Sequence, residues 1–205
     1  FDIFLDPRHG EHLPELADWI EASARAQNVA EIEVVANDRD EPQRALLAER
    51  GYRPTDTHYV YRGQPITGKL EPPVLPEGFR FGDMRDATDE RIEQRVNVHR
   101  AAWAPSKMTV TKHRAVMASP TYRPDLDLVV EASDGQFATC TIVWHDPVNR
   151  IGVFEPVGCD PVYRQRGLTR SLMLEGMARL KALGARNAFV NSLHDSLPAN
   201  RLYEA

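Results

Sequence analysis

Cysteine is scarce in this 205-residue chain. Only Cys140 and Cys159 occur, and neither stands in a C-x-x-C pair or beside a His and Cys ligand set. We therefore expect no disulfide, no zinc and no other metal, and read both thiols as small buried residues in strands. Long apolar runs are also lacking: none approaches the ~18 residues that would cross a bilayer, and no basic stretch leads into an apolar one as in a secretory signal. A cytoplasmic setting without a membrane partner is expected. Positive charge is not in excess either. A net charge of −5 argues against a nucleic-acid partner, which needs many Lys and Arg side chains spread along phosphates. Any anion site must be local.

What is present is a strong alternation of helix and strand patterns. Leu16, Ile20 and Ala24 oppose Glu15, Asp18 and Glu21 at helical spacing, and residues 31–36 (EIEVVA) alternate like a strand. Pro42 to Arg50 suits a helix ended by Gly51, and Thr57 to Tyr61 suits a strand. Residues 64–78 then carry four prolines in QPITGKLEPPVLPEG, which reads as a linker. Beyond it we expect a strand over 78–84, helices over 86–103 and 111–118, and strands over 126–132, 136–144 and 151–157 forming an antiparallel meander. An amphipathic helix over 167–183, a strand over 185–190 and a helix from Leu197 complete the order. At an offset of 156, residues 15–28, 31–36 and Leu47 fall on the elements at Ser171, Asn187 and Tyr203. The chain is thus expected to hold two copies of one unit, cut from a longer tandem protein.

The segment from Asp160 to Arg170 (DPVYRQRGLTR) joins a strand to a long helix. The first N–H groups of a helix have no partners inside it, and its dipole places partial positive charge there, so a diphosphate can be held largely by backbone. Gly167 lets the backbone approach such a group, and Arg164, Arg166 and Arg170 add positive charge to an acidic chain.

The sequence Arg164-x-x-Gly167-x-Thr169, lying between a strand and a helix and followed by a strand and a helix with Leu202-Tyr203-Glu204, resembles the GNAT acyltransferases. Their signature is Gln or Arg, two residues, Gly, one residue, then Gly or Ala. The resemblance implies an α/β (α+β) fold, a GNAT-like mixed central sheet flanked by helices. Residues 1–63 would be the C-terminal half of a degenerate copy, 64–77 a linker and 78–205 the acyltransferase domain, truncated at its C-terminus; tandem members such as mycothiol synthase-like proteins are similar. It also implies acetyl-CoA as acyl donor. Backbone groups of Val157, Gly158 and Cys159 would meet the pantetheine arm, and the N–H groups of Gln165, Arg166, Gly167, Leu168, Thr169 and Arg170 the diphosphate, beside Arg164. The coenzyme would lie where parallel strands splay apart. Thr169 departs from the small residue of the signature: its side chain either crowds the diphosphate or donates a hydrogen bond to it. Where the family carries an asparagine seven residues before its tyrosine this chain has Ser196, a good helix N-cap, with Asn200 sharing a helix face with Tyr203.

Acyl transfer to nitrogen needs a neutral amine, a stabilised oxyanion and a proton for the departing thiolate. Tyr203 matches the family's proton donor; the other reading is a core tyrosine. A strand's period of two puts Val153, Glu155 and Val157 on one face. Glu155 is either a base acting through water, a binder of a cationic amine, or a structural carboxylate. His194 and Asp195 are either secondary base candidates or an exposed loop pair, and His99, Trp103 and Met108 fall where the resemblance places acceptor-binding elements, a solvated histidine and a core aromatic being the other reading. In the first copy Leu47 stands at the tyrosine position and residues 7–12 lack the Arg-x-x-Gly spacing, so that copy is expected to be structural or to close the acceptor pocket by packing against the second. The expected activity is N-acetyl transfer to a small-molecule amine or a peptide N-terminus. The competing expectation is a noncatalytic acyl-CoA-binding module.

Overall fold

A computed structural model describes Ile3 and residues 5–204, which divide into two compact units between Asp56 and Thr57. In the first, a 3-10 segment Pro7–His12 leads into α1 (Leu13–Ala26), followed by α2 (Glu41–Glu49). Leu13, Ala17, Ile20 and Ala24 form the buried stripe of α1, and Leu47 and Gln43 are buried on α2. Asp40 caps α2 by accepting the Gln43 N–H at 3.0 Å, which satisfies one of the open donors of its first turn. Among the described residues no strand is assigned over 31–36, where one is expected. The alternating exposure is present, but only Val35 makes a bridge.

The second unit is a six-stranded sheet in the order β1-β6-β5-β4-β3-β2. Its strands are β1 (Tyr59–Pro65), β2 (Phe79–Asp83), β3 (Asp127–Ala132), β4 (Phe137–Asp146), β5 (Ile151–Cys159) and β6 (Asn187–Leu193). β3 to β5 form the expected antiparallel meander, β2 adds antiparallel to β3, β5 and β6 run parallel, and β1 pairs antiparallel with β6. Helix α5 (Leu168–Ala182) covers one face through Leu168, Leu172, Met173 and Leu180, packed on Leu128, Val130, Val143 and Phe154. Leu202 and Tyr203 of α6 (Leu197–Tyr203) join this core. On the opposite face α3 (Asp89–Ala102) and α4 (Val110–Met117) enclose a core of Met84, Ile92, Val98, Val129, Phe137 and Cys140. Among the described residues no helix is long and apolar enough to cross a membrane.

Two expected boundaries move. β1, assigned by sequence to the first copy, is the edge strand of the second unit, because its residues find a full antiparallel register from Tyr59↔Leu193 to Pro65↔Asn187. The stretch 64–77 is a strap rather than a free linker. Ile66 is fully buried and donates its N–H to Arg186 O at 2.8 Å, Leu70 and Leu75 pack on the α5 core, and Lys181 reaches Gly68 O at 2.5 Å. Apolar burial of this kind, about 1.5 to 3 kcal/mol for one side chain such as Ile66, offsets the cost of ordering a proline-rich segment.

Charge also ties the layers. Fully buried Asp127 accepts from Arg95 Nε at 2.7 Å and from the Tyr122 hydroxyl at 3.0 Å, with His113 Nε2 3.5 Å away. Asp83 at the end of β2 accepts from Arg85 and from Arg179 of α5, the latter at 2.7 Å. Burial opposes ionisation of Asp83, but the Arg85 and Arg179 hydrogen bonds outweigh it and hold the carboxyl down to about 2. Because the folded value lies below the unfolded one of 3.8, this stabilisation is present above pH 4 and is lost as pH falls toward 2. It amounts to about 2 kcal/mol. Asp83→Asn should therefore lower unfolding free energy at pH 7 by about that amount, with the gap from wild type closing near pH 2 in urea titrations; a gap independent of pH would contradict the assignment.

Candidate active site

The ladder between β5 and β6 begins at Ile151↔Asn187 and ends at Phe154↔Val190, although both strands continue. Beyond that point β5 stays with β4, through Thr141↔Val157, Cys140↔Gly158 and Thr139↔Cys159. The edge of Val157, Gly158 and Cys159 that faced β6 is thus left without a strand. An extra residue in β5 opens the gap: Val143 pairs with Phe154 but Thr141 with Val157. Pro156, which has no N–H to give a ladder, lies within this bulge.

The bulge corrects the expected face. Val153 and Val157 lie on opposite sides of the sheet, with Val157 in the α5 core. Glu155 is exposed rather than set among apolar neighbours; its carboxylate accepts from Asn191 Nδ2 at 3.5 Å, and its carbonyl from Trp144 Nε1 at 2.8 Å. Gly158 is needed for close approach, since a Cβ there would sit 2.3 Å from the Trp103 ring and 2.8 Å from Ala102 of α3.

After β5, a 3-10 turn over Pro161–Tyr163 and two left-handed residues, Gln165 (φ 62) and Gly167 (φ 74), swing the chain into α5. Gly167 takes this conformation without strain, whereas Gln165 pays about 1 kcal/mol for it. The first amide of the region with an acceptor is Ser171, bonded to Gly167 O at 3.0 Å. The amides of Gln165, Arg166, Gly167, Leu168, Thr169 and Arg170 have no acceptor among the described residues. Residues 165–167 are exposed, and the buried Leu168 side chain anchors the turn.

Thr139 Oγ1 donates to Gly158 O at 2.6 Å, so the Thr169 hydroxyl, 3.2 Å from Thr139 Oγ1, is the donor of that second bond and is turned to the sheet. Arg164 bridges the β5 end and α3, with Nε 3.4 Å from Cys159 O and Nη2 3.3 Å from Ala102 O. Arg166 lies on Val162 O and over the Tyr163 ring. Arg170 is already paired: its guanidinium grips Glu71 of the strap by two bonds, at 3.1 and 2.7 Å. Sequence reasoning missed Glu71, an acidic residue in a proline-rich stretch.

Asn200 also differs from expectation. Its Oδ1 accepts from Ser192 at 2.8 Å and its Nδ2 donates to His194 O at 2.8 Å. Both ends of the side chain lock α6 to the end of β6, leaving little for a coenzyme. Ser196 is the N-cap residue of α6, yet its side chain makes no capping bond. His194, a secondary base candidate, stacks on His58 with ring centroids 4.0 Å apart.

Tyr203 lines a cleft of about 750 Å³ whose walls include Phe154 and Val190, the last β5–β6 pair, with Met173, Met177 and Leu202. Arg170 and Glu71 lie in the same lining; Arg170 is the only residue of the amide run that reaches it, so the cleft lies beside the open turn. The Tyr203 hydroxyl has no hydrogen-bond partner among the described residues. Burial pushes its pKa up to about 12, with the Glu155 carboxylate adding to the rise and Arg62 opposing it. On the opposite face the His99 ring lies tilted against Trp103, centroids 4.5 Å apart; burial, then the Arg95 and His113 charges, pull the imidazole down to about 4. Burial raises Cys140 to about 11 and Cys159 above its ordinary value, which suits unreactive thiols. One cluster of potential metal-ligating side chains, His9, Glu11 and His12, lies exposed in the first unit.

A model of the acetyltransferase (GNAT) family matches residues 93–205. A mycothiol acetyltransferase of Catenulispora acidiphila is 28% identical over 168 residues, covering 78% of this chain and 52% of that protein. The chain thus spans about half the length of this curated relative. Among solved structures, a GCN5-related N-acetyltransferase from Sphaerobacter thermophilus superposes with a TM-score of 0.74 at 20% identity, over 99% of this chain and 66% of that one. The NatC complex bound to Gag peptide and CoA gives 0.53 at 13% identity, over 62% of this chain and 81% of that one. These likenesses agree with the mixed sheet and its flanking helices.

The titration of Tyr203 is directly measurable. The difference in phenolate absorbance between wild type and Tyr203→Phe should show a midpoint near 12; a midpoint at the ordinary phenol value would mean that the side chain is solvated.

Proposed function

Because the chain belongs to the acetyltransferase (GNAT) family, we propose that it moves an acyl group, in the first instance acetyl, from acyl-CoA to a primary amine by direct attack of nitrogen on the thioester carbonyl. The run of open amides from Gln165 to Arg170 at the start of α5 supports this reading most directly. It presents aligned N–H donors and helix-dipole charge beside a strand edge that has lost its neighbour. In this reading the amides and Arg164 hold the diphosphate. The open edge of Val157, Gly158 and Cys159 pairs with the amide-bearing arm of the donor, and Asn200 braces the helix that carries Tyr203.

The amine nitrogen attacks the thioester carbon, the C–S bond breaks, and the proton lost by nitrogen must in net terms reach sulfur. Tyr203, kept protonated by its apolar setting, donates toward the departing thiolate. Glu155, exposed at the bulge, takes the amine proton through water. The acceptor is a small-molecule amine or a peptide N-terminus, admitted from the α3 side, where Trp103, backed by neutral His99, lies against Gly158.

Calorimetry of the intact protein with acetyl-CoA, followed by thiol release over a panel of amines, tests the proposal. Tyr203→Phe should cut turnover by about 10²-fold with little change in CoA affinity. Unchanged turnover would remove Tyr203 from the chemistry, and CoA binding without turnover on any amine would identify a noncatalytic binding module.

A further inference from the structure

We propose that Glu71 sets the affinity of the phosphate site: its carboxylate occupies the Arg170 guanidinium, and a phosphate of the acyl donor must take its place there. The inference rests on the acyl-CoA reading above and adds a competing group to it.

Of the three arginines around the turn, Arg164 and Arg166 hydrogen-bond to backbone carbonyls, and Arg166 also lies over the Tyr163 ring. Among the described residues neither has a carboxylate within ion-pair distance, so their charge stays available. Arg170 alone is neutralised, in a two-point pair with Glu71 whose planar fork is the geometry a phosphate would also use. The pair is reachable from solvent, with the Glu71 side chain 60% exposed and that of Arg170 39%. Arg170 in turn holds the Glu71 carboxyl below its ordinary value, so it is charged at neutral pH.

Glu71 is not a chance surface neighbour. The strap that carries it is fixed on both sides: Gly68 by Lys181 near the end of α5, and Val74 by the Ser171 hydroxyl in its first turn. A carboxylate is thereby stationed beside a residue whose own N–H belongs to the open run. Such a fixed anion mimics the ligand weakly and lowers affinity for the real one, by the free energy of an exposed ion pair.

Coenzyme A carries two candidate groups, the diphosphate and the 3′-phosphate, and dephospho-CoA separates them. Titration of the intact Glu71→Gln protein with CoA at low salt should give a Kd about three- to tenfold tighter than wild type. Arg170→Ala combined with Glu71→Gln should show no such gain over Arg170→Ala alone. If the gain vanishes with dephospho-CoA, Arg170 meets the 3′-phosphate; if it persists, Arg170 meets the diphosphate. Equal or weaker binding by Glu71→Gln, with thermal stability unchanged and wild type binding CoA, would overturn the inference and leave the acyl-donor reading intact. Absence of CoA binding by all these proteins would overturn both.

Discussion

The parting of β5 from β6 after Phe154 and Val190 is the constraint on which the site depends. One extra residue in β5 turns its end away from β6 while β4 keeps hold of it, and Gly167 then starts α5 from a left-handed turn. Open backbone donors are costly inside a protein and tolerable at a wet surface. The chain can afford them here because Leu168, Leu172 and Leu180 clamp the helix to the sheet just below. The fold thus holds a run of unsatisfied groups in register without any side chain having to point them.

The electrostatic setting follows the same logic. The chain is acidic overall, yet burial drives Tyr203 and Cys140 upward and His99 downward, so that all three stand in their neutral forms at physiological pH. The buried carboxylates Asp83, Asp127 and Glu131 are all held by arginines. The deepest, Asp127 with Arg95, is fully buried under α3 and α4, where removing either partner would strand a charge.

Much of the order of elements was legible because the periodicities are strong: the stripe of α5, the alternation in β3 to β5 and the turns between them. The Arg164-x-x-Gly167 spacing located the helix start from which the amides emerge. What the sequence concealed were properties of partners rather than of segments. Residues 31–36 alternate, but a ladder depends on what lies alongside. Prolines made 64–77 read as a linker, while Ile66, Leu70 and Leu75 were apolar anchors in plain view. Pro156 was a signal for the bulge that inverts the faces of Val153 and Val157. The tethering of Asn200 to Ser192 and His194 depends on how α6 folds back on β6, and local spacing does not encode it.

The strap also decides where this unit can be cut. A fragment begun at residue 78 would keep the Arg-rich turn, α5 and α6, yet it would discard β1 and uncover the apolar flank that Ile66, Leu70 and Leu75 now seal. The raw border of β6 would then invite strand addition by other chains and clumping in solution. The smallest piece that keeps the sheet's border intact starts at Thr57, upstream of the proline-rich stretch that a boundary chosen from composition would trim away.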